Sequence, residues 1–180
     1  LSLSGIVYAH EVRVAGRSLD EAIIEYIKHR RKLLIGKLTA ERAKIEIGSA
    51  LPLPTPLSAE VSGRSVTEGA PRTITVTEGE VREALTGPLN VITRAVREAL
   101  ARVPPELSND LVDRGIIITG GTALLRNLDR RLMEETALPV TVDENALSSV
   151  ALGAGRMLED AHLLSRSTYE ALADGGYAAI

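Results

Sequence analysis

Five residues, Gly115-Ile116-Ile117-Ile118-Thr119, restrict the fold of this chain more than any other stretch. A continuous β-branched run predicts a short strand buried on both faces, as in a parallel sheet covered by helices. Gly120-Gly121-Thr122 follows at once, and Ala123–Glu135 has a helical pattern. Val140–Val142 predicts another strand, and Leu147, Val150, Ala151, Ala154 and Leu158 mark a last helix. Strand, helix, strand, helix in this order predicts an α/β fold with a parallel layer.

The first half reads differently. Leu1–Val7 and His10–Val14 predict strands, and Ala15-Gly16 a turn. Ser18 and Glu21 have capping-box spacing, so a helix is expected over 19–34, closed by Gly36. Thr39 predicts the cap of a second helix, Ala40–Ile47, ended by Gly48. The proline-rich stretch Leu51–Ser58 is expected as a stiff linker. Ala59–Val66 and Arg72–Val76 predict a peripheral pair of strands, with Gly63 in that hairpin. Thr77 and Glu80 form another capping box, and Pro88 is expected to kink or break the helix that follows. Pro104-Pro105 should stop it and start a short helix to Arg114. The tail from Ser165 is weakly patterned and is expected to be loose.

Composition removes several function classes. With 21 Lys and Arg against 24 Asp and Glu, the net charge is −3, which argues against a nucleic-acid partner held by bulk electrostatics. The absence of cysteine excludes disulfides, thiolate zinc sites and a cysteine nucleophile. There is no Phe or Trp and there are four Tyr, so the core must be aliphatic. No apolar run approaches the roughly 20 residues of a membrane span. His10, His29 and His162 have no partner at ligand spacing. Glu134-Glu135 and Asp143-Glu144 read as solvated charges, because neighbouring side chains diverge. The chain opens with Leu1 in an apolar run, which reads as a fragment.

Three stretches can carry chemistry. At Thr119-Gly120-Gly121-Thr122 a strand meets a helix start, where glycine lets a ligand approach the backbone and free N–H groups suit a phosphate. Its default meaning is a tight turn. Glu41-Arg42-Ala43-Lys44 places an acid and a base three apart on one helix face, fit for a ribose hydroxyl and an adenine edge. Its default meaning is a solvated salt-bridge face. Gly16, ahead of the first helix, allows close approach or simply makes a turn. The run Lys28-His29-Arg30-Arg31-Lys32 reads as a cationic helix end, with a basic docking patch as the other reading.

Taken together, SLSGIVY, RVAGRSLDEAIIEYI, LIGKLTAERAKIEIGSA, PPELSNDLVDRGIIITGGTALLRNLDRRLMEETALPV and VALGAGRMLE resemble, in order, the C-terminal half of the MreB family of bacterial actins. The resemblance implies an α/β, actin-like second lobe. Its larger α/β subdomain would be 1–16 and 81–150, and a smaller inserted α+β subdomain 17–80. Residues 151–180 would be a helix returning towards a first lobe, then a loose tail. Family nucleotide contacts carry over to Gly16, to Glu41, Arg42, Ala43 and Lys44, and to Gly120, Gly121, Thr122 and Ala123. ATP with magnesium is the implied cofactor. The implied partners are other filament subunits, cell-shape membrane proteins such as RodZ and MreC, and, indirectly, the membrane. The implied place is the cytoplasmic face of the cell membrane, where filaments organise wall synthesis.

Departures from the pattern are local. Arg17 stands where the family has Asp, Ala15 and Thr122 where it has glycines, and Ala43 where it has a larger aliphatic. Both phosphate-binding hairpins of the family are missing from these residues, so the 180-residue chain is expected to be inactive as an ATPase by itself. The alternatives are a nucleotide-independent partner-binding module and an ATP-using enzyme of the same fold.

Overall fold

In the computed structural model, residues 6–159 are described. Helix α1 spans Gly16–Arg31, and strand β1, Leu33–Leu34, follows it. Helix α2 spans Lys37–Ile47. Strands β2 (Ser58–Ser65) and β3 (Pro71–Thr77) lead into the long helix α3, Glu78–Leu100. A 3-10 turn at Pro105–Leu107 precedes α4 (Ser108–Arg114), β4 (Ile116–Ile118) and a second 3-10 turn at Gly121–Leu124. Helix α5 (Leu128–Thr136), strand β5 (Val140–Val142) and helix α6 (Ser149–Glu159) complete the described chain.

Two sheets organise these elements. In the first, β1, β2 and β3 are antiparallel in that order, with Val61 opposite Ile74 and Ala59 opposite Val76. Alternation along β2 sends Val61 and Ser65 inward and Ser58, Glu60, Ser62 and Arg64 outward. The inner face packs on α1, α2 and α3 around Leu19, Ile23, Ile27, Leu33, Leu85 and Leu89. In the second sheet, β4 and β5 run parallel, with Ile116 opposite Val140 and α5 as the crossover. The core continues into this part through Leu125, Leu128, Leu132 and Val140.

Several expectations are corrected. Residues 6–14 lie outside any strand, because nothing among the described residues pairs with them; Leu1–Gly5 lies outside the described residues. Helix α1 starts three residues early, at Gly16 after the extended Ala15, so Ser18 is inside the helix and is no cap. It ends at Lys32, which adopts the left-handed conformation, and Gly36 instead precedes α2. Thr39 is consequently a helical residue, its N–H bonded to the Gly36 carbonyl. The stretch predicted as one helix from Ala123 is a 3-10 turn, then Asn127 in the left-handed region, then α5.

Pro88 breaks nothing: α3 runs through it. The residue before a proline normally meets its ring through Cβ, and Gly87 has none. Leu85 and Leu89, fully buried on either side, hold the helix against the core despite the lost hydrogen bond. The capping box at its start is as expected: Thr77 Oγ1 accepts from Glu80 N–H at 3.4 Å, and Glu80 Oε2 from Thr77 N–H at 3.0 Å.

Strand β4 is also corrected. Ile116 and Ile118 pack on the core, but Ile117 is 72% exposed, so only one face of the strand is covered among the described residues. Gly63 is not peripheral in packing either. A Cβ there would collide with the Leu34 carbonyl oxygen, because the end of β1 lies close beside it. The weakly patterned tail from Ser165, and His162, lie outside the described residues.

Candidate functional site

The first turn of α1, one face of α2 and the 3-10 turn after β4 meet around a cavity of about 1090 Å³. Gly16, Arg17 and Asp20 line it from α1, Glu41, Lys44 and Ile45 from α2, and Gly121, Thr122 and Leu125 from the turn region. Helical spacing explains the α2 contribution. Glu41, Lys44 and Ile45 share a face, while Ala40, Ala43 and Ile47 are buried on the adjoining one.

The polar end of the cavity is tightly built. Lys44 Nζ donates to Asp20 Oδ1 at 2.7 Å and to the Gly16 carbonyl at 3.3 Å. The side chains of Lys44 and Asp20 are only 14% and 13% exposed. A Cβ at Gly16 would stand 3.7 Å from Lys44 Nζ and 3.6 Å from Thr122 Oγ1. Glycine in α1 therefore leaves space beside an ammonium from α2 and a hydroxyl from the 121–124 turn. Asp20 offsets the lysine charge, so this end presents donors and acceptors rather than a bare cation.

Five of the nine residues singled out in the sequence line the cavity: Gly16, Glu41, Lys44, Gly121 and Thr122. Four do not. Arg42 turns away and donates from Nη2 to the Glu60 carbonyl at 3.3 Å. Ala43 is buried in the core, and Ala123 is the buried residue of the turn itself. Gly120 shapes the turn: its φ of 83° suits glycine, and its N–H is held by the Ala146 carbonyl at 2.8 Å. The 3-10 turn here is too short to act as a helix N-terminus, which removes the main argument for a phosphate at this point.

The partner of Lys44 is Asp20 rather than Glu41. Asp20 was missed, although its place four residues after Gly16 puts it on the same helix face. Arg126 was missed too. Its side chain borders the cavity and donates to the Ile45 carbonyl at 2.9 Å. Arg17 is exposed at the rim, in the first turn of α1.

Outside the cavity, the basic run at the end of α1 is largely paired. Arg30 meets Glu83 at 3.1 Å, Arg31 meets Glu80 at 2.8 Å, and Lys28 and His29 meet Glu25. The Tyr26 hydroxyl donates to Glu83 at 2.7 Å. That bond and the one from Arg30 hold the Glu83 carboxyl below its ordinary value. Asp143 is no free surface charge. The Asn145 N–H and the hydroxyls of Ser149 and Thr119 hold its carboxyl below the usual range. Among the described residues, no three His, Asp or Glu side chains gather as a metal site.

The model of the MreB/Mbl protein family matches residues 1–166. This chain belongs to the MreB/Mbl family. Among its relatives, the cell shape-determining protein MreB of Escherichia coli (strain K12) is 52% identical over 159 residues, covering 88% of the chain and 46% of the relative. The cell shape-determining protein Mbl of Bacillus subtilis (strain 168) is 46% identical over 160 residues, covering 89% and 48%. The chain thus spans about half the length of the MreB and Mbl relatives it matches. Among solved structures, MreB 5 of Spiroplasma citri bound to AMPPNP superposes with a TM-score of 0.81 at 30% identity, covering 96% of the chain and 50% of that structure. The ADP-bound form gives 0.78, also at 30% identity, covering 92% and 48%. A double helical filament of MamK, at 22% identity and a TM-score of 0.68, covers 81% and 45% and shares the fold alone. The MreB/Mbl chain described here therefore has the actin-like α/β fold.

Proposed function

We propose that this chain is the second lobe of an actin-like cytoskeletal protein, and that its cavity receives the nucleoside part of ATP or ADP. The observation that carries this reading is the convergence of Gly16, Lys44 and Thr122 on one open space. Glu41 and Lys44 suit the ribose hydroxyls and the adenine edge, and the glycines leave room for the ligand's body. The nucleotides named with the two Spiroplasma citri structures support the same ligand class.

In this reading residues 1–16 and 81–150 form the larger subdomain, 17–80 the smaller, and 151–180 leads towards the first lobe. Magnesium would reach the site with the phosphates, held by groups outside these residues. The bound nucleotide would gate assembly of filaments at the cytoplasmic face of the membrane, with RodZ and MreC as partners in directing wall synthesis. Self-association into filaments is part of the same proposal.

The test is sedimentation of the full-length protein with and without ATP, beside titration of a fluorescent adenine nucleotide. Nucleotide-dependent pelleting with saturable binding is expected. Pelleting that ignores nucleotide, with no binding, overturns the reading in favour of a nucleotide-independent module. The 180-residue chain alone should not turn over ATP, because phosphoryl transfer needs positioned phosphate and metal contacts that its cavity does not supply.

A further inference from the structure

Helix α2 is fastened to the 121–127 segment by a seam of unusual density. Ser49, fully buried, donates to the carbonyls of Leu51 at 2.7 Å and Arg126 at 3.3 Å, and accepts from Asn127 Nδ2 at 2.9 Å. Ala50 N–H donates to the Arg126 carbonyl at 2.8 Å. The Arg126 guanidinium then reaches back over the last turn of α2, donating from Nη1 to Ile45 at 2.9 Å and to Gly48 at 3.5 Å. These carbonyls lie at the end of α2, where such groups lack intrahelical partners and a positive charge is favoured by the helix dipole.

We propose that Arg126 is a positioning residue for ligand binding. By capping the C-terminal end of α2 it fixes Glu41 and Lys44, one to seven residues before those carbonyls, against Gly121 and Thr122 on the facing turn. The inference rests on the proposed nucleotide site and deepens it. Arg126 acts through α2, so its effect must vanish when the α2 side chains it positions are gone. One guanidinium nitrogen, Nη1, serves both acceptors from the end of a long side chain, and a lysine ammonium on a shorter reach does so less well.

The experiment is a double-mutant cycle on the full-length protein, read by titration with fluorescent ADP. R126A should weaken ADP binding about tenfold, the scale of a lost charged hydrogen bond, and R126K should recover part of that loss. In a K44M/E41Q background, R126A should add little further loss. Hydrogen exchange at the amides of Ile47 and Gly48 should rise in R126A, which reports the loosened cap even if binding is too weak to titrate. Additive losses overturn the positioning role and make Arg126 a direct ligand contact. Unchanged ADP affinity, or unchanged exchange, in R126A removes the role altogether. Failure of the wild-type protein to bind ADP instead defeats the nucleotide reading itself, and the exchange measurement then still judges the cap.

Discussion

Leu85 in α3 and Ile117 in β4 are both aliphatic and both central in a regular element. Leu85 is fully buried, whereas Ile117 is 72% exposed. The contrast extends to their surroundings. Around Leu85, three helices and a three-stranded sheet close on each other from every side. Around Ile117, α5 covers one face of the two-stranded sheet, and Leu147, Val150 and Leu158 near or on α6 stand open. A buried-strand pattern therefore tells what a residue requires and not which neighbour supplies it. The region around Leu85 meets that requirement from within; the region around Ile117 meets half of it.

The largest effect expected from this contrast is on stability. Leu85→Ala should cost about 2–5 kcal/mol in urea unfolding of the 180-residue chain, as for other buried leucines. Ile117→Ala should stay within about 0.5 kcal/mol, as for exposed positions. Equal losses would show that the open face of β4 is covered in solution. Gly63→Val sharpens the same point in the closed region. The new side chain would force β1 off β2, and a loss of about 1–3 kcal/mol is expected, the usual range for overpacking. Circular dichroism melting against wild type decides it.

At the junction of the two regions, the expected effect moves from folding to binding. A Cβ at Gly121 meets only Leu147 Cδ2, at 3.5 Å, so valine there fits the fold and projects towards the cavity. Gly121→Val should leave the melting temperature near wild type and weaken nucleotide binding about tenfold or more, the cost of an obstructing group on the scale of one overpacked methylene. Equal ADP affinities would remove the nucleotide role from this turn. Arg17 at the rim should matter less. Arg17→Asp in the full-length protein should lower the ATP-to-ADP preference a few-fold at low salt and less at physiological salt, since exposed charges are screened. An unchanged preference would make Arg17 a solvated surface residue.

The smallest effect is a pH dependence. The folded carboxyl of Asp143 is held below its ordinary value by the Asn145 N–H and the hydroxyls of Ser149 and Thr119. A depressed carboxylate contributes stability above its unfolded value and loses it as pH falls through the folded one. Wild type should therefore exceed Asp143→Asn in melting temperature near neutrality, and the two should converge in acid below the ordinary aspartate range. Parallel curves down to that range would mean that the charge at Asp143 anchors nothing.

Local signals were legible where a short stretch determines its own conformation. Thr77 and Glu80 cap α3 as their spacing says, and β2 and β3 pair close to the bounds expected for them. They misled where a distant element decides. Ser18 has the right spacing for a cap, yet α1 begins at Gly16, with Lys44 bonded to the Gly16 carbonyl. The cavity shows the same division. Gly16, Lys44 and Thr122 were visible as small residues and charges near predicted element ends. Asp20 and Arg126 were not, because their partners lie 24 and 81 residues away. Arg42 and Ala43 were carried into the site by adjacency in sequence, and the helical turn then pointed them elsewhere.

The uninterrupted passage of α3 through Gly87-Pro88 has a consequence for how the chain reaches this state. Each half of α3, before and after that dipeptide, is shorter than the length at which a helix persists in water unaided. Glycine and proline together oppose joining the halves. A peptide of residues 78–100 should accordingly be mostly unstructured in isolation. The longest element of the molecule therefore depends on the docking of Leu85 and Leu89 against the core for its stability, and is a product of that core rather than its template.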